Sequence, residues 1–261
     1  MTTLPIEAST PLYNRVPKVT VDFWLVKLMA VTVGETAADF LSADLGLGLP
    51  TTSIIMSLIL VVMLVIQFKQ KKYVPLPYWI TVVLISIVGT LITDYLVDDL
   101  GASLEITSIV FAIALGLTFS IWYSNEKSLS IHTIYTMKRE SFYWFAILLT
   151  FALGTAAGDY AAEGLDLGYL QAGLMYCAII AAIALAFYAN KINGVLAFWL
   201  AYILTRPMGA SFGDYLSQPV ENGGVDFGTV ITSAFFLAAI ALIVLYMTLS
   251  RDGEETALDV I

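Results

Sequence analysis

"WLVKLMAVTVGETAADF", Trp24 to Phe40, places two carboxylates, Glu35 and Asp39, one helical turn apart inside an apolar stretch that begins at Phe23. The chain around it is 59% hydrophobic and only 13% charged, where a soluble domain carries roughly a quarter charged residues. Apolar runs recur at about 21–43, 52–68, 77–97, 104–124, 141–162, 169–189, 193–217 and 228–249. Each is long enough to cross about 30 Å of hydrocarbon at about 1.5 Å per residue. The composition therefore predicts an all-α polytopic membrane protein with eight transmembrane helices. Continuous apolar runs, rather than short alternating segments, argue against a β-barrel.

Twelve basic residues against 21 acidic ones give a net charge of -9, which speaks against nucleic acid as a partner. Basic residues cluster in alternate connections: Arg15 and Lys18, then Lys69, Lys71 and Lys72, then Lys127, Lys138 and Arg139, then Lys191 and Arg251. The connections between them hold acids: Asp44; Asp98, Asp99 and Glu105; Glu163 and Asp166; Glu221 and Asp226. Positive residues stay inside, so the expected location is the cell membrane with both termini cytoplasmic. Residues 1–20 form the N-terminal segment, 21–250 a single transmembrane domain and 251–261 a tail. The lone Cys177 lies in an apolar run, where packing is the expected role.

Internal repetition organises the chain. Trp24, Trp79, Trp144 and Trp199 are each followed ten residues later by glycine (Gly34, Gly89, Gly154, Gly209) and fifteen residues later by aspartate (Asp39, Asp94, Asp159, Asp214). An aromatic residue follows every aspartate. Repeats at 21–70, 76–125, 141–190 and 196–250 thus contain two spans each and enter the membrane in the same direction. Four parallel two-helix repeats, each a helical hairpin, are expected in a pseudo-fourfold arrangement about the membrane normal.

"KVTVDFWLVKLMAVTVGETAADFL" (18–41) and "YILTRPMGASFGDYLSQP" (202–219) resemble a prokaryotic family of uncharacterised membrane proteins built from four copies of a short membrane-spanning repeat of unknown function. The resemblance runs from Val16 to about Ser250. It implies a topology rather than an activity, so the function must be read from the residues.

At about 100° per residue, with each tryptophan at zero, the repeated glycine lies near 280° and the residue four later near 320°. Gly34 with Ala38, Gly89 with Thr93, Gly154 with Gly158 and Gly209 with Gly213 make small-xxx-small stripes suited to close helix packing. The aspartates lie near 60°, and stepping back by four gives Glu35, Thr90, Thr155 and Ala210, then Val31, Ser86, Phe151 and Arg206. Intramembrane carboxylates are costly and normally face a cavity or a partner. If the tryptophans mark the cytoplasmic interface, the aspartates sit about 22 Å further along, in the outer third of the bilayer.

Two symmetry-breaking features stand out: only the first repeat has Glu35, and only the fourth has Arg206 and Pro207. Arg206 is expected to pair with Glu35 or an aspartate, and with Thr90, Thr155 and Ser86 to couple or gate. Lys27 reads as an interfacial, snorkelling cation, and "KSLSIHTIYTMKRE" (127–140) as a short interfacial helix in which His132 has no catalytic role. Thr52, Ser53, Glu105, Thr107, Ser108, Gln171, Thr232 and Ser233 could complete an oxygen-rich vestibule.

Carboxylates and hydroxyls without histidine or cysteine suit hard cations. The leading expectation is a transporter for a small inorganic cation, a divalent metal with manganese first, or a proton-coupled one. Asp39, Asp94, Asp159, Asp214 and Glu35 would be its cation or metal ligands, and no cofactor beyond a bound divalent cation is expected. The alternative is a non-transporting membrane scaffold or partner-binding subunit whose polar columns are structural, since an aspartate before a turn can also bond to backbone. No nucleophile elbow, phosphate loop or HExxH motif occurs, so no enzymatic activity is expected. Partners are the bilayer and the ion, and self-association into a homo-oligomer stays open.

Overall fold

The computed structural model describes residues 13–250; residues 1–12 of the N-terminal segment and the tail 251–261 lie outside the described residues. Eight long helices follow in order: α1 Val21–Asp39, α2 Leu49–Phe68, α3 Pro75–Asp94, α4 Leu104–Glu126, α5 Met137–Asp159, α6 Tyr169–Tyr188, α7 Gly194–Ser217 and α8 Gly228–Ser250. No strand is present among the described residues apart from a single bridge residue. Polar caps fix several starts: Thr20, Thr136 and Asn193 each accept a hydrogen bond from the backbone N–H three residues on, satisfying a donor the helix leaves free. Pro75 opens α3, where a missing N–H costs nothing.

Seven helices, α2 to α8, are long and apolar enough to cross a membrane. The eighth expected span, α1, differs because Asp22, Lys27, Glu35 and Asp39 dilute its hydrophobicity. Its position explains how it tolerates them: α1 packs against α3, α7 and α8, so Lys27 and Glu35 are buried against protein. The molecule is a helical membrane protein whose outer surface is apolar; α2, for example, exposes Ile54, Leu58, Val61 and Val62.

The four odd-numbered helices close a ring, with α3 and α7 each touching both α1 and α5. The even-numbered helices lie outside it, and each packs on the next odd helix: α2 on α3, α4 on α5, α6 on α7 and α8 on α1. Each outer helix thus rests mainly on the inner helix of the following repeat, and α8 also touches α7 of its own. Close approach around the ring rests on the four glycines. A Cβ on Gly34 would meet Ser86 Oγ at 1.8 Å, on Gly89 Phe151 Cβ at 2.7 Å, on Gly154 Arg206 Cγ at 2.1 Å and on Gly209 Val31 Cγ1 at 2.5 Å. Each glycine thus receives the residue eight before the aspartate of the adjacent inner helix. Gly158 meets Pro207 and Gly213 meets Thr32 and Glu35 at ordinary to slightly tight distances, consistent with the packing stripe.

Beyond their aspartates, the first three inner helices widen into a π-helical turn: Phe40–Asp44, Tyr95–Asp99 and Tyr160–Gly164. Bonds from the N–H of Leu45, Leu100 and Leu165 to the carbonyls of Phe40, Tyr95 and Tyr160 close these turns at 2.8, 3.1 and 2.8 Å. A left-handed residue then reverses the chain at Gly46, Gly101 and Asp166. The fourth inner helix departs from this pattern: it stays α-helical to Ser217, where Gln218 N–H donates to the Asp214 carbonyl.

Three further expectations are corrected. Trp79, Trp144 and Trp199 are buried, and only Trp24 is partly exposed. Instead of forming a lipid-facing belt, they pack with Phe23, Tyr78, Tyr143, Phe198 and Tyr202 into an aromatic core. The segment after α4 forms only a 3-10 turn, Ile131–Thr133, with His132 exposed. It is pinned by Asn14, whose side chain donates to the Ile131 carbonyl and accepts from Ile134 N–H. Cys177 is exposed rather than packed inside, because α6 turns that face outward.

Candidate functional site

Glu35, Asp39, Asp94, Asp159 and Asp214 all line one cavity of about 490 Å³ at the end of the ring where the inner helices carry their aspartates. The column reading accounts for this convergence: one residue from each inner helix, at the same register, is turned toward the ring interior. Within the cavity the five are not equivalent. Carboxylate oxygens of Glu35, Asp159 and Asp214 lie within 4.8 Å of one another, while Asp39 and Asp94 stand outside that trio. Asp214 is only 7% exposed, and its carboxylate has no hydrogen-bond or ion-pair partner among the described residues. Three acidic oxygens held this close repel one another strongly unless a cation or a proton sits among them.

Arg206 does not line the cavity itself but supports Glu35 from behind. It is fully buried, and its guanidinium donates to Glu35 Oε2 at 2.9 Å, to Thr155 Oγ1 at 2.6 Å and to Thr90 Oγ1. Thr90 also donates to Glu35 Oε2 at 3.3 Å, and the guanidinium carbon stands 5.5 Å from the Phe151 ring centroid, within range of a cation–π attraction. Arg206 thus meets Glu35 as expected, and Thr90 and Thr155 join them. Ser86 does not: its hydroxyl is buried against Gly34 with no hydrogen-bond partner.

Lys27 is the main correction. Instead of reaching toward an interface it is fully buried, and its ammonium donates to the Tyr202 carbonyl at 2.9 Å and to Thr205 Oγ1. The Tyr202 ring centroid is 4.5 Å from Nζ and the Phe151 centroid 5.7 Å. The signal was available in the periodicity: Lys27, three residues after Trp24, falls at about 300°, on the same stripe as the packing glycines. Glu140 was missed in the same way. It lies four residues before Trp144, at about 320°, and is fully buried, accepting from Arg15 at 2.7 Å, Gln67 at 3.0 Å and Trp144 Nε1 at 3.3 Å.

None of the hydroxyl, amide and acidic residues expected at the starts of the even helices lines the cavity. Thr52 instead bonds to the Gly48 carbonyl and Ser233 to Thr36, while Glu105 and Gln171 are exposed. The cavity wall also includes the residues four after each aspartate, Ala43, Asp98, Glu163 and Gln218, and the even helices contribute Leu49, Leu104 and Tyr169. Counting outward by the same step of four would have found the first group. With Asp98 and Glu163, seven carboxylates line the cavity.

The family model described as Repeat of Unknown Function (DUF347) matches the chain four times, at residues 23–73, 77–128, 142–193 and 197–252. The chain belongs to this family. The four matches together take in most of the sequence, and each includes one of the four aspartates and one of the four packing glycines. Comparison with the curated proteins and with the solved structures gives no match. Membership of the family therefore establishes the internal repeat, and the chemistry is left to the cavity itself.

Proposed function

We propose that this protein is a transporter for a small inorganic cation, with a divalent metal ion as substrate, manganese first, or with proton coupling through the same carboxylates. In this reading the four family repeats are two-helix units, inserted in parallel about a pseudo-fourfold axis along the membrane normal. Both termini are cytoplasmic and the acidic cavity opens outward. What supports the arrangement is that each matched segment covers one inner and one outer helix, and that the glycine contact recurs at every junction of the ring.

The observation that carries the function is the trio of Glu35, Asp159 and Asp214, whose oxygens lie within 4.8 Å of one another in a cavity lined by further acids. Oxygen ligands without nitrogen or sulfur favour manganese, magnesium or calcium over zinc or copper. The test is flux into liposomes carrying the purified protein, loaded with a manganese-quenched dye. Wild type is expected to admit manganese down its gradient, and Asp159→Asn to lose most of that flux. Asp94→Asn, outside the trio, should lose less. A folded, membrane-inserted protein that moves no ion under any gradient would overturn the reading.

One observation favours the second reading, a non-transporting scaffold. Beyond Arg206 the ring is filled by Lys27 and by the buried aromatic cluster of Tyr78, Tyr143, Trp199 and Tyr202. Absence of flux together with intact manganese binding would support that alternative.

A further inference from the structure

Both hydrogen bonds that reach Glu35, from Arg206 and from Thr90, fall on Oε2. The second carboxylate oxygen accepts no hydrogen bond among the described residues, and Glu35 lines the cavity, so a cation could join Glu35, Asp159 and Asp214 with the Arg206 contact intact. The guanidinium is also held firmly in place: Thr90 and Thr155 accept from one nitrogen, the other reaches Glu35, and its carbon stands over the Phe151 ring. Gly154 leaves the room in which the Arg206 stem lies. A guanidinium contributes one positive charge.

The charge balance follows. Three carboxylates and one guanidinium leave two formal negative charges, which one divalent ion neutralises. We infer that Arg206 is a specificity-determining residue, a resident countercharge that matches the Glu35, Asp159 and Asp214 trio to an ion of charge two. This rests on the cation-binding reading of the same cavity and adds to it the valence of the ion. Without Arg206 the trio would carry three negative charges and favour a trivalent ion. Without the charge of Glu35 it would carry one. Asp39, Asp94, Asp98 and Glu163 line the same cavity and strengthen its attraction for every cation. They are unchanged between variants, so the ratio of affinities for two ions isolates the contribution of Arg206.

The experiment measures manganese binding to the full-length protein in detergent by loss of the free-ion paramagnetic resonance signal, and terbium binding by its luminescence. In Arg206→Gln the terbium-to-manganese affinity ratio is expected to rise about tenfold or more, the order set by one unit charge a few ångström from the ion. In Glu35→Gln, which keeps the shape and the acceptor for Arg206, the ratio should fall by a similar factor. Arg206→Lys, which keeps the charge, should stay within about threefold of wild type. If Arg206→Gln does not fold, the double variant Glu35→Gln with Arg206→Gln, which leaves neither partner charged and alone, decides the matter: its ratio should rise about tenfold over that of Glu35→Gln. Wild type binding manganese with the ratio unmoved in the neutral variants would overturn the inference while the transport reading stands. Wild type binding neither ion would overturn both.

Discussion

Gly154 on α5 and Arg206 on α7 meet so closely that a Cβ at the glycine would stand 2.1 Å from Arg206 Cγ and 2.4 Å from its Cβ. The smallest side chain in the third repeat thus admits the largest charged one in the fourth. Gly154→Ala is expected to push the arginine off its threonine and glutamate partners and to destabilise the fold by about 1–3 kcal/mol, as overpacking does. Gly116 is the control: on the exposed face of α4, nothing lies within 4 Å of an added Cβ. Gly116→Ala should be neutral or stabilising by up to about 1 kcal/mol. Thermal melts in detergent, followed by tryptophan fluorescence, compare the two.

The two buried cations are expected to respond oppositely to neutralisation. Arg206→Met leaves Glu35 buried without its ion-pair partner, which costs about 3–5 kcal/mol. Lys27 has no carboxylate within salt-bridge distance among the described residues, and its acceptors already satisfy each other, since Thr205 donates to the Tyr202 carbonyl at 2.9 Å. Lys27→Met should therefore leave the melting temperature unchanged or raise it. A large fall would show that the ammonium has a charged partner in the folded membrane protein.

Glu140 gathers three donors from three parts of the chain: Arg15 before α1, Gln67 at the end of α2 and Trp144 one turn along α5. Glu140→Ala strands all three and should cost about 3–5 kcal/mol. Its effect should appear in the melt without altering the manganese-to-terbium ratio, because the residue does not line the cavity. A changed ratio would mean that the two ends of the bundle are coupled.

Orientation is open to a direct check. In a Cys177→Ala background, Ala102→Cys, between α3 and α4, should react with a membrane-impermeant maleimide on intact cells. Lys71→Cys, between α2 and α3, should react only after permeabilisation. The reverse pattern would place the acidic cavity on the cytoplasmic side and contradict the charge-bias assignment.

The helices and the convergence of the aspartates were legible because both follow from periodicity. An apolar run of twenty residues has few alternatives, and a polar residue repeated at one register on four helices has one economical place to face. The Arg206–Glu35 pair was legible for a related reason: an isolated guanidinium in hydrocarbon demands a partner. Lys27 and the tryptophans were misplaced because depth along a helix does not say whether a residue faces lipid or a neighbouring helix; the stripe they occupy does. That each outer helix rests mainly on the next repeat was not legible at all. Two helices joined by a short loop can pack together or splay apart with the same hydrophobic pattern, and only the contacts formed with the neighbouring repeat decide between them.

That α8 packs on α1 bears on biosynthesis. Of this pair α1 leaves the ribosome well before α8, so the face of α1 that carries Thr36, bonded to Ser233 of α8, waits in the membrane until α8 has been made. A chain truncated before residue 228 would leave that belt unbuckled, however well its first three repeats had inserted.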